Sequence, residues 1–225
     1  MIYTHFDHIP RLRYGFLMID PPWRFHNYSA KGEKLNPVSQ YECMTIDQIK
    51  ALPVAHIVAH DAVIWVWATN PMMPAILDVI NTWGFRFCTM GTWLKTTRTG
   101  KMRWGPGYWL RSTNEPFIIA TMGKPQIRAR NIPSGFAAEA REHSRKPEQA
   151  YEYAERMSPD AWRMDLFSRQ ERAGWDSFGN QPDKFTDSSA GFAGGPETGH
   201  DGISGVEIAE SAVAASGGRK SGVAA

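Results

Sequence analysis

The 225-residue chain is poor in cysteine, with only Cys43 and Cys88. Two thiols can neither build a disulfide framework nor fill a four-ligand structural zinc site. No run of about 18 apolar residues occurs, which excludes a membrane-spanning helix. The first ten residues carry Asp7, His5 and His8 and no long apolar stretch, so they do not read as a signal peptide. These absences give the expectation of a soluble, cytoplasmic protein. Acidic residues are missing from 95–111, and the last forty residues have a single aromatic, Phe192.

What is present is enough for a core, with 42% hydrophobic and 12% aromatic residues. The net charge of +2 is uneven. Residues 182–225 hold six acidic and three basic side chains, a balance of −3, which leaves +5 for residues 1–181. A moderately basic body is compatible with a polyanionic partner. Between Thr186 and Ala225 there are nine Gly, eight Ala and six Ser. Such a segment buries too little apolar surface to offset its ordering entropy. The predicted organisation is therefore a domain over 1–181 and a disordered Gly/Ala/Ser-rich tail over 182–225.

Within the domain, short apolar runs alternate with amphipathic stretches. Strands are predicted at 14–20, 62–69, 87–94, 116–122 and 162–167, with a further one at 174–178. Helices are predicted at 45–52, 71–83 and 147–157, the first capped by Thr45 or Asp47 and the last opened by Pro147. Alternation at this spacing indicates an α/β fold, a mostly parallel sheet with helices on both faces. Trp65, Trp67 and Trp83 read as core. His56 and His60 lack a third ligand nearby, so no metal site is predicted.

The decisive segment is Asp20-Pro21-Pro22-Trp23, at the carboxyl end of the first long strand, where open α/β sheets bind ligands. The exocyclic amine of adenine is a poor nucleophile, because its lone pair is delocalised into the ring. Two acceptors aimed at its hydrogens would make it more pyramidal. The Asp20 carboxylate is one; the Pro21 carbonyl, held still by two adjacent prolines, is the other. Trp23 would offer a flat face for the base, worth roughly 1–3 kcal/mol. This is positioning plus electrostatic preorganisation, with no covalent intermediate.

The chain resembles the MT-A70-like family of adenine N(6)-methyltransferases over roughly residues 14–181. Besides Asp20 to Trp23, the resemblance rests on Tyr41-Glu42-Cys43-Met44-Thr45 with Leu52-Pro53-Val54, on Ile64 to Asn70, on Thr92-Trp93-Leu94-Lys95, and on Gly105 to Arg111 before Asn114-Glu115. It continues through Glu142 to Pro147, Asp165-Leu166-Phe167-Ser168-Arg169 and Gly174 to Gln181. It implies a Rossmann-like methyltransferase fold with permuted motif order, catalysis first and cofactor binding last. Asp20, Pro21, Pro22 and Trp23 would form the catalytic tetrapeptide. Lys146 would meet the carboxylate of S-adenosylmethionine, Arg169 and Asn180 the ribose hydroxyls, and Phe167, Ser168 and Gln181 would line the cofactor. The sequence departs from the pattern at Gln170-Glu171-Arg172, where some members place a His, and in lacking an acidic residue well upstream of Asp20.

The acid-free stretch carries Lys95, Arg98, Lys101, Arg103 and Arg111, interleaved with Trp104, Tyr108 and Trp109. On a Gly-rich loop, this mixture suits a strand of nucleic acid. The loop from Arg24 to Gln40, with Tyr28, would form the opposite lip. The expected activity is methyl transfer from S-adenosylmethionine to N(6) of adenine in DNA. The alternatives are the same reaction on RNA, or a catalytically silent nucleic-acid-binding scaffold. The expected partner is nucleic acid and no membrane, with a homodimer or a partner subunit left open.

Overall fold

Among the described residues, eight strands form one sheet. A computed structural model describes residues 1–23, 43–142 and 145–179 of the chain. The strands are β1 (Ile2–Tyr3), β2 (Tyr14–Ile19), β3 (Val58–Trp67), β4 (Arg86–Thr96), β5 (Asn114–Met122), β6 (Gly135–Glu139), β7 (Arg163–Leu166) and β8 (Asp176–Phe178), in the sheet order β1-β8-β7-β2-β3-β5-β4-β6. The helices are α1 (Ile46–Lys50), α2 (Val54–Ile57), α3 (Met73–Thr82) and α4 (Glu148–Met157). Neighbouring strands run parallel except that β5 lies antiparallel between β3 and β4. This is the predicted mostly parallel α/β sheet with helices on both faces.

Alternation along the central strands sorts side chains onto two faces. From β2, Leu17 and Ile19 join Ile64 and Val66 of β3 and Met164 and Leu166 of β7 in one cluster. That cluster is covered by Ile49 of α1, Val54 and Ile57 of α2, and Ile76, Val79 and Ile80 of α3. Phe16 and Met18 point the other way, with Val63, Trp65, Trp67, Trp93 and Phe117, and meet Ala150, Tyr151, Tyr153 and Ala154 of α4. Every residue of β2 except Gly15 is buried, as expected for a strand covered on both sides. Trp65 stacks on Phe117 with centroids 3.9 Å apart. Trp65, Trp67 and Trp83 are core residues, as predicted.

Helix α1 starts at a complete capping box. Thr45 Oγ1 accepts from the Gln48 amide (3.2 Å), and Gln48 Oε1 accepts from the Thr45 amide (2.8 Å). The predicted strand at 62–69 instead spans Val58–Trp67, and the predicted helix at 71–83 starts at Met73. Asn70–Met72 forms a 3-10 turn around Pro71, which ends the strand early and delays the helix. Strands β1 and β6 and the short α2 were not anticipated. β6 buries only Phe136 and sits at the sheet edge, so it carries no periodic apolar signal. No helix among the described residues is long and apolar enough to cross a membrane.

The topology gathers chain ends at one rim. The carboxyl ends of β2, β3, β4, β6 and β7 lie there, and the antiparallel β5 begins there, with Phe117 opposite Trp67. From β2 the chain moves to β3 on one side, and it later returns to β7 on the other. The crevice beyond Ile19 is therefore the switch point of the sheet.

Candidate active site

Asp20 leaves β2 at this switch point, its backbone amide bonded to the Leu166 carbonyl at 3.3 Å. The tetrapeptide that follows is tightly set. The Trp23 amide donates to the Pro21 carbonyl at 2.8 Å, a three-residue turn, and the Met44 amide donates to the Pro22 carbonyl at 3.0 Å. A carbonyl has two lone pairs, so among the described residues Pro21 retains one acceptor direction. Trp23 is only 5% exposed, packed in the cluster under α1–α3, with its indole N–H on the Trp67 carbonyl at 3.3 Å. The structure thus uses Trp23 as an anchor of the turn, where the sequence reading had it present an open face.

Across the crevice runs an alternating chain of charges. Lys146 Nζ lies 2.8 Å from Asp20 Oδ2 and 2.7 Å from Glu115 Oε1. Lys95 Nζ closes the row at 2.6 Å from Glu115 Oε2. Both ammonium groups sit over indoles, Lys146 at 5.3 Å from the Trp67 centroid and Lys95 at 4.9 Å from that of Trp93. The Lys146 side chain is 8% exposed, so its charge is removed from water and must be compensated in place. Pro147 opens α4 directly after it. The residue before a proline is confined to extended backbone, which aims Lys146 out of the helix and into the row.

These contacts set the protonation of the site. Burial pushes the Asp20 carboxyl above its ordinary value, with Glu115 adding to the rise, while Lys146 and Arg169 pull it back down. Burial also acts to raise Glu115, but Lys146 and Lys95 outweigh it and hold Glu115 down to about 2. Burial alone would lower Lys146, yet Asp20 and Glu115 raise it, so it stays charged.

The other half of the rim follows β7. Phe167 adopts a positive φ of 68°, a conformation that costs a non-glycine residue energy and persists only where neighbours enforce it. Ser168, buried, donates its amide to the Phe178 carbonyl (3.0 Å) and its hydroxyl to the Gln170 carbonyl (2.8 Å). Gly179 lies so close that a Cβ there would collide with the Ser168 carbonyl. Beneath this turn is Asp165, buried on the α4 face and bonded by the Tyr151 hydroxyl at 2.9 Å. Burial pushes Asp165 up to about 7. Arg172 lies 3.7 Å over the Tyr151 ring and pairs with Glu148, which also takes Arg141 at 2.9 Å; Arg141 in turn donates to the Lys146 carbonyl at 3.2 Å. This network ties the turn after β7 to the segment that carries Lys146.

The structure thus brings together Asp20, Pro21, Pro22 and Lys146, and sets Phe167, Ser168 and Arg169 beside them. Tyr28, Asn180, Gln181 and His143 lie outside the described residues. Of the predicted phosphate contacts, Lys95 turns inward to Glu115. Arg103 donates to the Ala140 carbonyl (2.5 Å) and Arg111 to the Gly105 carbonyl (2.6 Å), while Arg98 and Lys101 stand exposed. Glu115 and Asp165 were missed; only the resemblance around Asn114-Glu115 and Asp165-Leu166-Phe167 pointed near them. No group of three or more His, Cys, Asp or Glu able to hold a metal occurs among the described residues.

A sheet of this topology, with Asp-Pro-Pro-Trp at its switch point and a tight serine turn on the adjacent strand, has the layout of the Rossmann-like methyltransferases. The match is confirmed at family level: the MT-A70 family model covers residues 14–181, and the chain belongs to that family. It is 32% identical over 178 residues to a putative N(6)-adenosine-methyltransferase MT-A70-like of Medicago truncatula, covering 75% of this chain and 26% of the relative. To the type II methyltransferase M.MunI of Mycoplasma sp it is 27% identical over 192 residues, 77% of this chain and 80% of the relative. The human N(6)-adenosine-methyltransferase catalytic subunit METTL3 is 27% identical over 180 residues, 76% of this chain and 28% of the relative. The chain spans about a quarter of the length of the plant relatives it matches.

Proposed function

We propose that this chain transfers a methyl group from S-adenosylmethionine to N(6) of adenine in nucleic acid, with DNA the favoured polymer. The observation that carries the reading is Asp20 at the switch point, with one carboxylate oxygen held by Lys146. The residues present fit the cofactor. The strained turn at Phe167 and the small side chain of Ser168 would leave room for a ligand beside the backbone, and the buried Thr69 hydroxyl just after β3 has no hydrogen-bond partner among the described residues. Phe167, Ser168 and Arg169 would hold it, with Asn180 and Gln181 expected beside them; Lys146, expected at the cofactor carboxylate, is engaged instead by Asp20 and Glu115. The bound cofactor supplies an electrophilic methyl group.

The rest falls to the chain. Asp20 Oδ1 accepts one hydrogen of the adenine amine, and the remaining lone pair of the Pro21 carbonyl accepts the other. Both make the nitrogen more pyramidal and direct its lone pair in line with the methyl carbon. The amine would take the methyl group from the cofactor, whose sulfur would leave with the bonding electron pair. The surplus proton on nitrogen passes to Asp20, whose raised pKa suits it to take a proton and release it to solvent. Lys146 keeps the carboxylate charged beforehand, and Glu115 keeps Lys146 in place.

DNA is favoured because the chain matches 80% of the length of the type II methyltransferase M.MunI, against about a quarter of the plant relatives. The intact charge row at Asp20 argues against a silent scaffold. The test incubates the purified chain with labelled S-adenosylmethionine and, separately, duplex DNA, single-stranded DNA and RNA, and identifies the methylated nucleoside by mass spectrometry. N(6)-methyladenine, formed faster on DNA, is the expected result. Product on RNA alone overturns the polymer assignment, and no product on any polymer overturns the reaction.

A further inference from the structure

Between β4 and β5 the chain makes an arm, residues 97–113, that presents large apolar side chains to water. Trp109 is 89% exposed, Leu110 86% and Trp104 64%, and Tyr108 stands at the same tip. Large apolar groups clustered at the surface mark an interaction site. The arm is not a loose loop. At its root the Lys95 amide bonds the Thr113 carbonyl (2.9 Å), the Arg103 amide bonds the Lys95 carbonyl (2.8 Å), and Thr96 bridges Met102. Further out, the Gly105 amide bonds Ser112 (2.6 Å) and the Ser112 amide bonds Pro106 (2.9 Å). A Cβ at Gly107 would collide with the Leu110 carbonyl, so glycine is what permits the turn that sets 108–110 at the tip. The guanidinium of Arg111 on Gly105 and that of Arg103 on Ala140 brace the arm from the inside and from β6.

Both legs of this arm run straight into the active site. One continues from Lys95 and the other into Glu115, the two residues that complete the charge row to Asp20. Whatever the tip grips is therefore held at a fixed offset from the reacting centre.

We propose that the 97–113 arm is a stacking platform for unpaired bases beside the target adenine, so that the enzyme takes its adenine from a single-stranded or locally opened segment. The proposal rests on the reading of the site as a nucleic-acid methyltransferase. Trp104 and Trp109 offer π-faces, and Arg98 and Lys101 stand exposed for the backbone phosphates. Every charged residue from 95 to 111 is a cation. Aromatics interleaved with cations, with no acidic residue among them, fit a polyanion whose bases have exposed faces. A duplex target would have to be opened first, at a cost of a few kcal/mol that stacking on the arm offsets.

The test measures binding of a fluorescent adenine-containing 12-mer, single-stranded and as a duplex, by anisotropy with the full chain and no cofactor. Trp104→Ala/Trp109→Ala should weaken single-strand binding by about tenfold or more, with the thermal unfolding midpoint unchanged because both rings stand in water. Trp109→Phe, which keeps a stacking face, should retain most of the affinity. Arg98→Ala and Lys101→Ala should each reduce the salt dependence by about one phosphate contact. Equal affinities of wild type and double variant overturn the proposal. So does a shift from dimer to monomer in sedimentation with affinity unchanged, which would assign the tip to a second copy. Methyl transfer is measured in parallel. Ring-dependent binding without any transfer sinks the proposed reaction and leaves the arm's role standing; transfer without oligonucleotide binding by the wild type overturns the arm's role and leaves the reaction standing.

Discussion

Replacing Asp165 by Asn isolates the effect of one buried carboxyl on the stability of the domain. Asp165 lies under the Phe167-Ser168 turn, facing Tyr151 from α4, Ser168 and Arg172 from the following segment, and Asp20 from the end of β2. Burial lifts it from 3.8 to about 7, against the pull of Tyr151, Ser168 and Arg172. Because the folded value is the higher one, the folded chain keeps this proton after the unfolded chain has lost it. The contribution is fully present below about pH 4, declines as pH rises through the window up to about 7, and is gone above it. At about 1.4 kcal/mol per pH unit, the whole window is worth on the order of 4 kcal/mol. Asparagine keeps the shape and a hydrogen-bonding oxygen for Tyr151 but cannot ionise. Urea unfolding of both proteins at pH 4.5, 6 and 7.5 should show Asp165→Asn gaining on the wild type steadily across the series. A stability difference that stays constant with pH would refute the reasoning, since it would mean that Asp165 titrates alike in both states.

Two further expectations concern the crevice. Lys146→Met leaves the Asp20 and Glu115 carboxyls without their shared cation, so Asp20 should rise further. The rate should fall about a hundredfold at pH 7 and the acid limb of the pH–rate profile should move upward, read from single-turnover kinetics across pH 5.5–9. Gly179→Ala forces a methyl group against the Ser168 carbonyl and displaces the turn proposed to hold the cofactor. Calorimetry should show S-adenosylmethionine binding weakened by about tenfold or more, while oligonucleotide binding is little changed.

The layout of the domain was legible where burial on both faces leaves a continuous apolar run, as in Tyr14–Ile19, and where a stop signal follows, as Pro21-Pro22 does. It was illegible at β6, an edge strand with one buried side chain, and at β1, which is two residues long. The site was half legible. Asp20 and Lys146 could be picked out, but their partnership could not, because it depends on how α4 and β2 meet across the sheet. Glu115 enters only because β5 runs antiparallel to β3 and so begins at the rim where the parallel strands end. Lys95, read as a phosphate contact, is drawn inward by that same carboxylate. Trp23 looked like a platform because a tryptophan after two prolines is so placed in the chain, yet the turn folds its ring into the core.

The account stands most directly on Asp20 as the acceptor that activates the adenine amine. Single-turnover methyl transfer to an adenine-containing oligonucleotide, with saturating S-adenosylmethionine, compares wild type with Asp20→Asn, which retains a side-chain oxygen but no charge. The prediction is N(6)-methyladenine from the wild type and a rate at least about a hundredfold lower in the variant, with cofactor binding unchanged. Equal rates in the two proteins would contradict it.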